Sequence, residues 1–104
     1  MLLLTSTSDV VRVVTSAAGA VDVHASYVDN ASGTFTPGRT NTASIVTATT
    51  TTVVAAPGAS TQRNVKHIAV SNEHASVANT ITVEHFDGTT AESLWKGTLN
   101  TGER

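Results

Sequence analysis

Between Val21 and Tyr27 the chain alternates strictly. Val21, Val23, Ala25 and Tyr27 fall on one side of an extended strand, and Asp22, His24 and Ser26 fall on the other. A period of two sorts apolar from polar residues only when the backbone is extended, because a helix of 3.6 residues per turn would scatter the same residues around its axis. The pattern recurs. Asp9 to Ser16 carries Val10, Val11, Val13 and Val14, and Asn64 to Ser71 carries Ile68 and Val70 as its inward positions. Thr80 to Phe86 sets Thr80, Thr82 and Glu84 against Ile81, Val83 and His85.

Turn residues separate these runs. Asp29 to Gly33 is a turn cluster, and Pro37-Gly38 is expected to stop a short strand at Thr34 to Thr36. Ala43 to Thr47 and Thr51 to Ala55 are expected to pair through Ala48-Thr49-Thr50, with Pro57-Gly58 closing them. The loop Asn72 to Ala78 is small and polar, and Thr89 to Thr98 returns from a hairpin at Asp87-Gly88, expected as a type I′ turn. Short connections imply antiparallel pairing, since parallel strands need long crossovers. The expected fold is all-β, an antiparallel β-sandwich of jelly-roll or immunoglobulin-like type with about seven or eight short strands. One such domain covers residues 9–104, and residues 1–8 form an N-terminal arm.

The composition supports a folded sheet and makes its core thin. Aromatic residues are 4% of the chain and charged residues 13%, so the interior must be built mainly from Val and Ala. Thr and Val favour a pleated, half-buried surface, which argues against disorder despite the low charge. A core of this kind has little surplus stability, and burial against neighbouring subunits is expected to add to it.

The same residues exclude several functions. The net charge is −2, and Arg12, Arg39, Arg63, Lys66, Lys96 and Arg104 are scattered, which is not the basic face of a nucleic-acid binder. Without cysteine there is neither a disulfide framework nor a thiolate metal site. Leu2-Leu3-Leu4 is not read as a signal peptide, since no basic residues precede it and Asp9 and Arg12 interrupt the apolar run. No segment approaches the ~18 apolar residues that cross a bilayer as a helix, so no membrane partner is expected. Ser, Thr, His and carboxylates are all present, but without a nucleophile elbow, and no enzyme is expected. His24, His67, His74 and His85 show no metal-ligand spacing, Asp29-Asn30 and Asp87-Gly88 lack the spaced oxygens of a calcium loop, and no cofactor is expected.

The residues that remain point to protein partners. Leu2, Leu3 and Leu4 would be a liability if exposed on a free monomer, and they are expected to contact another subunit. Trp95, between Leu94 and Lys96, is a second contact candidate, and Tyr27 a third, since both residue types are enriched where interfaces concentrate their energy. The polar strands present Thr where edges are usually guarded by charge, which also suggests that edges are used, with homo-oligomers among the expected products.

Several stretches carry a resemblance. They are Thr5-Ser6-Thr7-Ser8-Asp9, Val23-His24-Ala25-Ser26-Tyr27-Val28-Asp29, and Pro37-Gly38-Arg39-Thr40-Asn41-Thr42-Ala43. Further on come Thr61-Gln62-Arg63-Asn64-Val65-Lys66, His74-Ala75-Ser76, Asp87-Gly88-Thr89-Thr90 and Leu94-Trp95-Lys96-Gly97-Thr98-Leu99. Across most of its length the chain resembles small all-β proteins encoded among the structural genes of tailed bacteriophages. The resemblance implies a virion component, assembled in the host cytoplasm: a capsid decoration protein, a head fibre, or a tail or neck accessory. An alternative within the same particle is a tail or fibre module that binds a host receptor or glycan, for which Tyr27 and Trp95 would need to share an exposed face. Relatives usually continue past the equivalent of Gly102-Glu103 into at least one more strand, so a C-terminally incomplete chain is one expectation.

Overall fold

The structure, a computed structural model describing residues 2–104, is a sandwich of two antiparallel sheets without helix. Its strands are β1 (Leu2–Leu4), β2 (Val10–Thr15), β3 (Val21–Ala31), β4 (Thr34–Ile45), β5 (Thr50–Val54), β6 (Thr61–Asn72), β7 (Asn79–Phe86) and β8 (Ala91–Leu99). One sheet has the order β1-β6-β3-β4 and the other β5-β2-β7-β8. Among the described residues only β3–β4 and β7–β8 are hairpins within a sheet; every other connection crosses between the sheets.

The alternating runs bury the side they predict. Val21, Val23 and Ala25 of β3 meet Val11 and Val13 of β2, Ile81 and Val83 of β7, and Leu99 of β8 in one core. No aromatic side chain is among its buried members. Ile68 and Val70 pack against that core from β6, as expected, and Val65 joins them. Period two alone would not turn Val65 inward together with Ile68. A bulge at Lys66, where Ser26 pairs with His67 but Tyr27 pairs with Val65, resets the phase. β8 does the same at Leu94, between the pairs Val83–Trp95 and Glu84–Ser93.

Four expectations are corrected. Pro37-Gly38 does not end a strand, and β4 runs through it from Thr34 to Ile45. β4 is an edge strand, where a residue without an amide proton costs no ladder bond on the open side. Gly38 opposite Tyr27 leaves room for the ring, since a Cβ there would stand 2.6 Å from Tyr27 Cε2. Ala43 to Thr47 and Thr51 to Ala55 do not pair. The first ends β4, and the second contributes to β5, which pairs with β2 in the other sheet. The turn with two residues at positive φ is Ser32-Gly33, at 51° and 86°, which is the type I′ requirement. At Asp87-Gly88 only the glycine has positive φ, and Asp87 instead accepts hydrogen bonds from the amides of Thr89 (2.9 Å) and Thr90 (2.7 Å) through its side chain.

The fourth correction concerns the arm. Met1 lies outside the described residues, but Leu2–Leu4 is a strand of the sandwich, antiparallel to Arg63–Val65. Leu4 is fully buried in the domain's own core, because pairing with β6 turns alternate side chains inward. Residues 5–8 loop back to β2 around Asp9, whose carboxylate accepts from the Thr5 amide (2.9 Å), the Ser6 amide (3.2 Å) and the Ser6 hydroxyl (3.0 Å).

The loop that follows β6 is polar in sequence but is anchored by buried amides. Asn72 donates to the carbonyls of Val77 (2.9 Å) and Leu99 (3.0 Å), and Asn79 donates to Ala17 (3.0 Å) while accepting from Ser16 (2.9 Å). Both are fully enclosed and satisfied, so they close that end of the sandwich without an orphaned polar atom.

Candidate functional site

β5 packs against β3 and β4 along one side of the sandwich. On the other side the sheets do not close. There a cleft of about 510 Å³ opens between β1 and β6 of one sheet and β8 of the other. Its floor is apolar: Leu2, Val65, Ile68 and Val70 on one wall face Val83, Trp95 and Leu99 on the other. The rim carries Lys66, His67 and Arg104.

The two bulges shape this cleft, for Lys66 and Leu94 are the extra residues and both line it. Bulges bend a strand and re-aim its side chains, and they concentrate at sheet edges and beside functional sites. Trp95 follows the second bulge. It points toward the space between the sheets, yet it remains 47% exposed because no neighbouring strand covers β8. Its ring lies over Gly97, where a Cβ would stand 2.7 Å from Cζ2. The glycine therefore allows the indole to lie flat along the strand at the mouth of the cleft.

The candidate contact residues divide. Leu2 and Trp95 converge on the cleft from opposite sheets, and Leu94 joins them. Leu3 lies on the outer face of its sheet, 45% exposed and opposite Asn64. Leu4 is core. Tyr27 is half-buried elsewhere, between Gly38 and the guanidinium of Arg63, which stands 4.2 Å from the ring centroid. Arg63 is held by Asp29 through paired bonds of 2.8 and 3.0 Å and by the Ala55 carbonyl at 2.9 Å, and the Asp29 bond raises its pKa above the ordinary value. Tyr27 and Trp95 thus share no exposed face.

Sequence reasoning missed Val65, Ile68 and Val70 as cleft residues. Their apolar character was visible, but a half-open inner face reads like a closed one. The histidines are dispersed. His24 bonds Asn41, the His74 ring accepts from the amides of Ser76 and Val77, His85 lies 4.0 Å from Asp9, and His67 is on the cleft rim. Among the described residues, no three of the His, Asp and Glu side chains gather into a metal-binding group.

Chemically the cleft offers apolar area, an indole and a polar rim of Lys66, His67 and Arg104. Comparison with protein-family models, curated proteins and solved structures finds no match to the chain.

Proposed function

We propose that this protein is a bacteriophage virion structural component of the capsid-decoration or head-fibre type, stabilising or decorating the particle through contacts with other virion proteins and with its own copies. The observation that carries the reading is the apolar cleft at the open side of the sandwich, where Leu94 and Trp95 stand exposed beside half-buried Leu2 in a domain with a valine core. Uncovered apolar area of this kind marks a surface that works by being covered. The resemblance of most of the chain to small virion proteins supplies the setting. A receptor- or glycan-binding module would be favoured by exposed aromatics grouped with polar residues, whereas Tyr27 lies beneath Arg63 and away from Trp95.

The test is electron microscopy of phage particles grown with and without the gene, followed by adding the purified protein back to deficient particles. Regularly repeated added density that returns on reconstitution is expected. A protein absent from purified particles, and unable to bind deficient ones, defeats the reading.

A further inference from the structure

β4 has β3 on one side and, among the described residues, no strand on the other. The turn fixes which backbone groups it leaves open. Ser32-Gly33 is a two-residue turn, so Ala31 and Thr34 close it as a hydrogen-bonded pair. Such pairs alternate along an antiparallel ladder, so Thr36, Gly38, Thr40 and Thr42 bond β3. Phe35, Pro37, Arg39 and Asn41 turn their backbone groups to the empty side. Pro37, which has no amide proton, falls in the outward set, where it breaks no bond to β3.

Two features frame a short open ladder within β4. At one end Pro37 cannot donate. At the other, Ser44 has φ +54°, its amide is taken by the Asp22 carboxylate (2.7 Å), and the pairing with β3 shifts register. Between them Arg39, Asn41 and Ala43 are spaced evenly about Asn41. An edge centred on one residue can pair with its own copy around a two-fold axis, residue i meeting j and j meeting i.

We propose that two copies of this protein join antiparallel through β4, with Asn41 opposite Asn41 and Arg39 opposite Ala43, so that two four-stranded sheets become one of eight. Other registers cost more. Centred on Arg39, the pairing would set two guanidiniums against each other, and like charges directly opposite destabilise a sheet. Centred on Thr40, it would place Pro37 opposite Ala43 and lose a backbone bond at each end. Centred on Asn41, every backbone bond of the outward pairs can form, and Thr40 meets Thr42 on the other face.

Charge complementarity selects this chain as its own partner. Arg39 is the one charged residue of β4, and among the described residues no carboxylate pairs with it. Beyond the small Ala43 of the second copy lies Asp22, the first charge that Arg39 meets on that sheet. Arg104 reaches the same hollow from the far side, because Glu103 is held beside β6. Exposed apolar residues also fall together. In this register Phe35, 66% accessible, passes Val46 of the second copy, itself 53% accessible. The inference rests on the reading that copies of this protein contact one another, and it names the edge they use.

The test is the oligomeric state of the full chain, by sedimentation equilibrium over a range of concentrations. A reversible dimer is expected. Arg39→Pro removes an amide that faces away from β3, so it should keep the fold and weaken the dimer roughly tenfold or more. Phe35→Ser, at a position too exposed to matter to folding, should weaken it at unchanged Tm. The sequence has no cysteine, so Asn41→Cys reports the register directly. Mild oxidation should link that variant into a disulfide dimer, whereas Ser93→Cys, also exposed but in the other sheet, should not link. Should Arg39→Pro fail to fold, Phe35→Ser and the two cysteine variants decide the matter. A chain that stays monomeric overturns the inference, as does a dimer that Arg39→Pro and Phe35→Ser both leave intact. A dimer that Ser93→Cys links and Asn41→Cys does not also overturns it. A β4 dimer that never appears on particles defeats the virion reading alone, and a monomer that binds particles defeats this inference alone.

Discussion

Asp9 ties the loop after β1 to the start of β2, and the ties act on its charge. The Thr5 amide, followed by the Ser6 hydroxyl and amide and nearby His85, holds its pKa below the ordinary 3.8, outweighing the opposing effect of burial. A depressed carboxylate contributes stability that is complete above the ordinary value and is lost as pH falls through the lower folded value. Asp9→Asn should therefore lower Tm near pH 7, and the gap to the parent should shrink as pH drops below about 4, read by thermal melts across that range. Gly88 is a second single-residue constraint. Its φ of +97° suits glycine, and a Cβ there would stand 2.9 Å from Ser8 Cβ in the same Asp9-held loop. Gly88→Val should cost at least about 1–2 kcal/mol in urea unfolding, because backbone strain and contact with Ser8 act together.

β1 shows how one short element divides its residues between opposite roles. Leu4 faces the core and Leu3 faces out. Deleting residues 1–4 should destabilise the domain by about 2–5 kcal/mol, the range for emptying a buried leucine site, whereas Leu3→Ser should stay within about 0.5 kcal/mol. Denaturant midpoints of the two variants check the contrast. The sequence reading missed this strand because three apolar residues in a row carry no alternation, so nothing in Leu2-Leu3-Leu4 tells a strand from a tag. Val21 to Ala25 was legible because one of its sides is buried and the other is not. β4 was not, because its turn residues are licensed by partners far along the chain, Gly38 by Tyr27 and Pro37 by the empty side of an edge. Of the cleft, Leu2 and Trp95 were legible as apolar residues seeking cover. Their meeting depends on bulges at Lys66 and Leu94, which ordinary β-forming sequence does not announce.

The whole molecule is elongated, 47 × 26 × 18 Å, because the hairpin of β3 and β4 outruns the facing sheet. Residues 31–37 are exposed on both faces, with Phe35 66% accessible near the tip. Hydrogen exchange should rank accordingly, with Ala31–Thr36 exchanging fastest and the central strands β2, β3, β6 and β7 approaching the global limit in their buried portions. Slow exchange at the tip of the free protein would mean that it is already covered by another copy. The positions of Leu2 and Glu103 bring two distant parts of the sequence to one strand. Leu2 pairs with Val65 and Glu103 with Asn72, so one strand holds both residues, roughly 24 Å apart at ~3.4 Å per residue. A linker of about eight residues could join them into a ring that is reopened at Ser32-Gly33, the exposed tip where new ends disturb least. Such a circular permutant would keep every strand pairing while changing which strand is made first, so the order in which this sandwich is synthesised is separable from the order in which it is stacked.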